Sequence, residues 1–201
     1  MGCKTIMKIP WLLTMFEKEY NMKNPMFQKA LQEIFEIEGG WSDDPDDSGG
    51  KTKYGITETV WNEFHANNPP YPISQITRAD AELVYYHKYW KPMRLEELSE
   101  ELHQPLVSEM FESAVNHGPG RATMFIQASF NLIKPDNRQP LKEDGAMGPL
   151  TVSSILLMAQ HYEDVLLVAY HGERYNFYKS IVEKKPSQLK FIKGWLRRLV
   201  K

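Results

Sequence analysis

Glu38 is the residue whose position in this sequence most clearly suggests a chemical role. Asn24 as an N-cap and Pro25 as the first residue open a predicted helix that runs to Glu38 and is ended by Gly39 and Gly40. At about 100° per residue, Glu38 falls near the middle of the apolar stripe of that helix. The stripe consists of Phe27, Ala30, Leu31, Ile34, Phe35 and Ile37. Apolar surroundings and the negative end of the helix dipole both raise the pKa of a carboxyl group, as a general acid requires. The alternative is a glutamate that extends into water at a frayed helix end.

Three aspartates in the loop after this helix are candidates for a second carboxylate. Asp44, Asp46 and Asp47 stand in a glycine-rich stretch, residues 42–53. Glycoside hydrolysis generally needs one carboxylic acid to protonate the leaving oxygen and a second carboxylate to activate water or attack the sugar. Glu38 suits the first role and a loop aspartate suits the second. Ordinary turn chemistry accounts for the same loop residues, so this signal does not stand alone.

Other chemistries find little support in the sequence. Cys3, the only cysteine, precedes the predicted folded region, which argues against a cysteine hydrolase. No serine stands in a strand-turn-helix elbow. The six histidines are scattered, without the spacing of a zinc peptidase, and His117 resembles a helix-end cap or a pocket wall more than a ligand. We therefore predict neither a metal nor a cofactor.

Charge is distributed unevenly along the chain. The formal net charge is −2, but residues 174–201 carry nine Lys or Arg and one acid, Glu183, a balance of +8. The rest of the chain therefore has a balance of −10. A basic segment of this kind can hold an anionic surface such as a cell wall, a membrane or nucleic acid. A solvated helix face that balances an acidic body is the simpler interpretation, and the sequence alone favours it.

Strand signals are scarce, so the patterns predict a mainly α fold, a helical bundle with at most a small β-hairpin near residues 41–57. Thr77 and Asp80 resemble a capping box that starts a helix running to Trp90. Gly118 and Pro119 are predicted to close a helix that starts at Pro105. Further helices are predicted at about 60–64, 121–133, 150–159, 162–182 and 187–200. The last of these places Leu189, Ile192, Trp195, Leu196 and Leu199 on one side.

Several short motifs follow one another in a fixed order. They are Glu38-Gly39-Gly40-Trp41, Asp44-Pro45-Asp46-Asp47-Ser48-Gly49-Gly50, Tyr54-Gly55-Ile56-Thr57, Tyr89-Trp90-Lys91-Pro92, Val115-Asn116-His117-Gly118-Pro119, Asp144-Gly145-Ala146-Met147-Gly148-Pro149-Leu150-Thr151 and Gly194-Trp195. Together they resemble glycoside hydrolase family 108, the lysozyme-like N-acetylmuramidases that include bacteriophage endolysins and bacterial proteins labelled secretion activators. The resemblance covers about residues 26–198, and it implies an α+β lysozyme-like fold.

This resemblance implies roles for individual residues. The catalytic acid of the family corresponds to Glu38. The acids of the family's loop correspond to Asp44 and Asp47. For the second carboxylate, Asp47 is our first choice, Asp44 is next and Asp46 is last. By analogy with phage lysozymes, Thr57 helps to hold the catalytic water. Substrate-binding positions are implied at Trp41, Tyr54, Gly55, Asn116 and His117. Trp41 replaces the more usual tyrosine, and its ring can also stack on a sugar.

The predicted organisation has three parts. Residues 1–23 form an N-terminal extension, whose short apolar run lacks the cleavage site of a signal peptide. Residues 24–115 form a lysozyme-like catalytic region. The resemblance implies that residues 116–201 form a helical peptidoglycan-binding region, packed on the first as one globular unit. No stretch of the sequence is long enough to span a membrane.

The function implied is hydrolysis of the β-1,4 bond between N-acetylmuramic acid and N-acetylglucosamine. A lytic transglycosylase acting on the same bond and a non-catalytic wall-binding or secretion-assisting protein are the alternatives. The expected partner is the glycan strand of peptidoglycan, and we expect a monomer without nucleic-acid binding or stable membrane insertion. Because a clear signal peptide is missing, we expect synthesis in the cytoplasm and action at the cell wall after holin- or export-dependent release.

Overall fold

Helices make up most of the structure. The computed structural model describes residues 24–37 and 51–200, and there the fold is mainly α-helical with one small antiparallel sheet, as predicted. The strands are β1 (Thr52–Lys53) and β2 (Ile56–Thr57). The helices are α1 (Pro25–Ile37), α2 (Glu58–Phe64), α3 (Arg78–Tyr85), α4 (Leu95–Leu98), α5 (Gln104–His117), α6 (Pro119–Ile133), α7 (Pro149–Lys184) and α8 (Ile192–Arg197). Two 3-10 turns, Ile73–Gln75 and Pro186–Phe191, and a π-helical turn, Tyr86–Trp90, complete the elements.

The described residues form two compact units, one ending at Tyr86 and the other beginning at His87. Across both described ranges, no helix combines the length and the apolar character needed to cross a bilayer.

Helix α1 forms because its start is capped and one of its faces is apolar. The Oδ1 atom of Asn24 accepts hydrogen bonds from the backbone N–H groups of Met26, at 3.0 Å, and Phe27, at 3.2 Å. The buried residues of the helix are Phe27, Ala30, Leu31 and Ile34, whereas Lys29, Gln32 and Glu36 are exposed. The predicted apolar stripe is therefore confirmed as far as Ile34, and Phe35 is half-buried.

A two-residue turn joins β1 and β2 into the predicted hairpin. Thr52 pairs with Thr57 and Lys53 with Ile56, so Tyr54 and Gly55 form the turn. Their φ angles are 53° and 73°, and positive φ at both central residues is the requirement of a type I′ turn, whose twist matches that of the strands.

Helices α2 and α3 each begin at a threonine cap. Thr57 Oγ1 accepts a hydrogen bond from the backbone N–H of Val60 at 3.2 Å. Thr77 and Asp80 form the predicted capping box, since Thr77 Oγ1 accepts from the Asp80 N–H at 3.3 Å and Asp80 Oδ2 accepts from the Thr77 N–H at 2.7 Å. The chain then winds into the wider π-helical turn after Tyr85, so the predicted α-helix to Trp90 is shorter than expected.

Helices α5, α6 and α7 build the core of the second unit, with α6 packed against both of the others. Their buried apolar side chains include Leu106, Val107, Met110, Phe111, Ala114, Ala122, Phe125, Ile126, Phe130, Val152, Ile155, Leu166, Tyr170 and Tyr178. Gly118 is the end cap of α5 and the start cap of α6. The predicted end of α5 at Gly118 is confirmed, and α6 begins at Pro119, two residues before its predicted start at about 121, because a proline without an N–H suits the first turn of a helix.

The last part of the chain follows the predicted pattern at first and then departs from it. The two helices predicted at 150–159 and 162–182 are confirmed as the two parts of α7, which a non-helical conformation at Tyr162 (φ −140°, ψ 34°) separates. The predicted helix at 187–200 begins instead as the 3-10 turn Pro186–Phe191. Leu189 is 59% exposed, because three residues per turn do not keep the 3.6-residue apolar side on which the prediction depended.

Candidate functional site

The first unit contains the hairpin and the helix that leads to the predicted acid. Glu38, Trp41, Asp44, Asp46 and Asp47 lie outside the described residues, so their predicted roles stay predictions. Within the described part, the hairpin brings together the other three first-unit candidates: Tyr54, Gly55 and Thr57.

Tyr54 is held against the last turn of α1 by an aromatic cluster. The ring centroids of Phe35 and Tyr54 are 5.9 Å apart, and those of Phe35 and Tyr85 are 5.8 Å apart in an edge-on arrangement. The Tyr85 hydroxyl donates a hydrogen bond to the backbone carbonyl of Tyr54 at 3.1 Å. The turn of the hairpin is thereby fixed beside the C-terminal end of α1, which immediately precedes position 38.

Thr57 has a structural role in addition to its predicted catalytic one. Its Oγ1 accepts the capping hydrogen bond from Val60, which uses one acceptor position. A hydroxyl that accepts one bond still carries a hydrogen to donate. Thr57 can therefore donate a hydrogen bond to a water molecule while it caps α2.

Arg78 is a residue near the end of α1 that the sequence did not single out. Its guanidinium lies 4.9 Å from the centre of the Phe35 ring and donates to Gln32 Oε1 at 2.9 Å. It also pairs with Glu82 at 3.3 Å. A cation here faces the last turn of α1, where it offsets part of the negative charge at the end of the helix dipole.

His117 lies at the end of α5, in the second unit, inside an aromatic cage. Its ring centroid is 5.1 Å from that of Phe177, 5.4 Å from that of Tyr178 and 5.8 Å from that of Phe125. Its Nε2 atom is 3.1 Å from the Tyr178 hydroxyl. Burial, and after it the positive charge of the surrounding arginines, lower the pKa of His117 to about 4. A neutral imidazole can contribute only hydrogen bonds or packing to substrate binding at neutral pH.

Asn116 is engaged within the protein at both ends of its amide. The Nδ2 group donates to the backbone carbonyl of Glu112 at 2.9 Å, and Oδ1 accepts a hydrogen bond from Arg198. The structure thus places Asn116 and His117 next to each other at the end of α5, where Asn116 helps to attach the C-terminal segment.

A buried charge cluster lies next to these two residues. Arg174 is fully buried and pairs with Glu109 and, at 3.6 Å, with Glu112. Glu112 is also 3.7 Å from Arg198, and His171 Nε2 is 3.2 Å from Glu109. Two arginines balance two carboxylates, so the cluster ties α5 to α7 and to the end of the chain.

A helical spacing in the sequence indicates this cluster, although no motif includes it. Leu166, Tyr170, Arg174 and Tyr178 recur at every fourth position of α7, and all four are buried. A charged residue at a core position of a helix predicts a buried partner of opposite charge.

The loop of the Asp144-Gly145 motif has an architectural role. Asp144 Oδ1 accepts hydrogen bonds from the Ala146 N–H at 3.0 Å and from Gln127 Nε2 at 3.1 Å, and the first of these is the main cause that lowers the pKa of Asp144. Gln127 Oε1 accepts from the Gly145 N–H at 3.0 Å. Gly145 has a φ of 75°, and a Cβ atom there would lie 2.7 Å from the carbonyl oxygen of Gly120. The motif therefore fastens the loop to α6.

Comparisons with known proteins agree with this arrangement. The family model described as Glycosyl hydrolase 108 matches residues 31–118, and the one described as Predicted Peptidoglycan domain matches residues 124–200. The structure of Brucella abortus SagA is similar, with a TM-score of 0.68 and 23% sequence identity, over 87% of this chain and 89% of that chain. At that identity the likeness shows a shared fold. No protein of curated function matches the chain significantly.

Proposed function

Because the chain belongs to glycoside hydrolase family 108 and continues into that family's peptidoglycan-binding region, we propose that it cleaves one defined bond in peptidoglycan. The family and the second region make the chain a peptidoglycan hydrolase in general. The bond proposed is the β-1,4 bond between N-acetylmuramic acid and N-acetylglucosamine. The residue proposed as general acid is Glu38.

The observation that carries this proposal is the buried stripe of α1. Leu31 and Ile34 are buried, and position 38 follows them by seven and four residues, the spacings that share one helix face. If the helical spacing continues to position 38, a carboxyl group there would extend this stripe at a helix C-terminus, which would raise its pKa and keep its proton available for the leaving oxygen. The hairpin turn held beside the same helix end supports a substrate groove at this place.

We propose Asp47 as the second carboxylate, with Asp44 next in rank. If Asp47 activates water, the two carboxyl groups should stand about 6.5–9.5 Å apart and the anomeric configuration should invert. A nucleophilic Asp47 would instead lie about 5–5.5 Å from Glu38, with retention of configuration. The hydroxyl hydrogen that Thr57 retains suits a donor to the attacking water.

Replacement of the acid is the direct test. Glu38→Gln should lower the rate of lysis of purified peptidoglycan by about 10²–10⁴-fold or more, because glutamine has the same shape but cannot supply the proton. Glu36→Gln is the matched control, since Glu36 is exposed on the same helix and bonds only to Gln32 among the described contacts, at 3.0 Å. Both variants should keep the wild-type circular dichroism spectrum. A folded Glu38→Gln protein with near-normal lysis would remove Glu38 from the mechanism.

Product analysis separates hydrolysis from its alternatives. Mass spectrometry of the muropeptides should find ordinary reducing N-acetylmuramic acid ends, and Asp47→Asn should abolish their release while Asp44→Asn has a milder effect. Products with 1,6-anhydro ends from an enzyme indifferent to Asp47→Asn would identify a lytic transglycosylase. A wild-type protein that binds peptidoglycan and releases no product would identify a non-catalytic wall-binding protein.

A further inference from the structure

The end of the chain concentrates positive charge. Residues 184–201 contain seven Lys or Arg and no Asp or Glu. Like charges gathered in one short segment repel each other, and a ligand of opposite charge relieves that repulsion. The structure shows which of these charges are used inside the protein and which are not.

One side of the segment is attached to the second unit. Arg198 reaches the carboxylate of Glu112 at 3.7 Å and donates to Asn116. The Trp195 ring stacks on the buried Tyr178 ring with a centroid distance of 5.5 Å and an interplanar angle of 28°. These contacts fix one face of α8, which means that the other side chains project from an anchored backbone.

Five cations of the segment are exposed: Lys184, Lys185, Lys190, Lys193 and Arg197. None of the five pairs with a carboxylate within the part of the chain that the structure describes. By contrast, Lys179, just before them, is 3.7 Å from Glu183. Local ion pairing in this region therefore ends at Glu183, and the interpretation of a solvated face that balances an acidic body stays a prediction.

An exposed aromatic ring lies beside one of these cations. Phe191 is 45% exposed and stacks on Trp195 at 6.1 Å with an interplanar angle of 29°. The Lys190 ammonium lies 4.9 Å from the centre of the Phe191 ring. A supported flat apolar ring can pack against a sugar ring, and an ammonium group beside it can pair with a carboxylate on the same ligand.

We propose that this basic surface, formed by the five cations and Phe191, holds a peptidoglycan strand, with its sugar rings against Phe191 and its peptide carboxylates against the cations. The inference rests on the proposed function in one respect, the identity of the polymer. An anionic membrane is the competing partner. A membrane-surface helix needs a long apolar face, whereas α8 has six residues and turns Trp195 inward onto Tyr178.

Binding to insoluble peptidoglycan tests the surface without requiring turnover. The full chain is sedimented with purified sacculi at 4 °C and low salt, comparing wild type with a fourfold variant: Lys184→Gln, Lys190→Gln, Lys193→Gln and Arg197→Gln. The matched control removes three lysines and one arginine elsewhere: Lys29→Gln, Lys134→Gln, Arg138→Gln and Lys142→Gln. We expect the fourfold variant to bind about tenfold more weakly or worse, since four exposed ion pairs are lost together, and the control to bind within about twofold of wild type. Added salt should weaken wild-type binding and leave the variant little changed.

Two further readouts keep this test separate from catalysis. Phe191→Ala should weaken binding in high salt, where the ionic part is screened, and all variants should hydrolyse a short soluble oligosaccharide at the wild-type rate. Equal losses in the fourfold variant and the control would reduce the effect to net charge and overturn the proposal, as would unchanged binding of the fourfold variant. Sedimentation with phosphatidylglycerol vesicles and not with sacculi would assign the surface to membranes and also overturn it. A chain that binds sacculi through this surface but cuts nothing would contradict the proposed function alone.

Discussion

Lowering the pH should destabilise the second unit through His117. The imidazole lies among Phe125, Phe177 and Tyr178, and its pKa is lowered to about 4 from an ordinary value of 6.5. The Tyr178 hydroxyl also lies 3.4 Å from an Arg174 nitrogen, which can only donate. The hydroxyl hydrogen is therefore directed to Nε2, an arrangement that favours the neutral ring.

The size and sign of the effect follow from the pKa. Between pH 6.5 and 4 the unfolded chain binds a proton that the folded protein does not, so the free energy of unfolding falls as the pH falls through this window. A shift from 6.5 to about 4 corresponds to roughly 3 kcal/mol at 1.36 kcal/mol per pKa unit. The ring is half-buried and keeps some contact with water, which reduces the expected loss to about 1–2 kcal/mol between pH 7 and pH 4.5.

Two measurements check this prediction. Proton NMR should follow the six histidine rings through a pH titration, with His117 assigned from the signal that disappears in His117→Phe. Urea unfolding measures the free energy of unfolding at pH 7 and at pH 4.5. From the higher to the lower pH, this free energy should fall by about 1–2 kcal/mol more in wild type than in His117→Phe, which keeps an aromatic ring but cannot bind the proton. His161→Phe is the control, because His161 is exposed and far from the aromatic cage in the sequence. An imidazole of His117 that titrates near 6.5 would refute the reasoning.

Two predictions concern the frame of the second unit. Gly145→Ala should lower the free energy of unfolding by about 2–4 kcal/mol, because φ is 75° and the new Cβ would meet the Gly120 carbonyl oxygen at 2.7 Å. Gly148→Ala is the control: no atom lies within 4 Å of its Cβ, so it should lower the free energy of unfolding by less than about 1 kcal/mol. Arg174→Met should lower the free energy of unfolding by about 3–5 kcal/mol, because it leaves buried carboxylates without their cation. Adding Glu109→Gln to this variant should restore part of the lost stability. Denaturant unfolding measures both, and a mild Gly145→Ala or an Arg174→Met protein as stable as wild type would contradict the respective argument.

Local patterns in the sequence predicted much of the first unit. The apolar stripe of α1, its Asn24 cap, the Thr77 capping box and the small hairpin depend on residues close together in the chain. Such features are readable from sequence because each involves hydrogen bonds or periodicity within a few residues.

Features set by distant partners were harder to predict. Arg174 meets Glu109 across 65 positions of sequence, and nothing local to either residue names its partner. Arg78 approaches Phe35 because two helices pack together, which the pattern of neither helix specifies. Leu189 was placed on the wrong side because a 3-10 turn and an α-helix cannot be told apart over six residues. The roles of Glu38 and Asp47 stay predictions from motif and periodicity.

The corner at Gly118, where α5 ends and α6 begins, limits where this protein could be recombined with a related one. One residue ends α5 and starts α6, with a φ of 81° and no linker between the helices. The two matched family regions, 31–118 and 124–200, meet at this corner, yet α5 and α6 pack together in one compact unit. A recombination point at the family border would therefore cut through a shared hydrophobic core. A chimera that borrows the second region would have to take α5 and the residues from His87 onward, because Trp90 packs on Phe111 of α5 and Met93 accepts a hydrogen bond from Thr123 of α6.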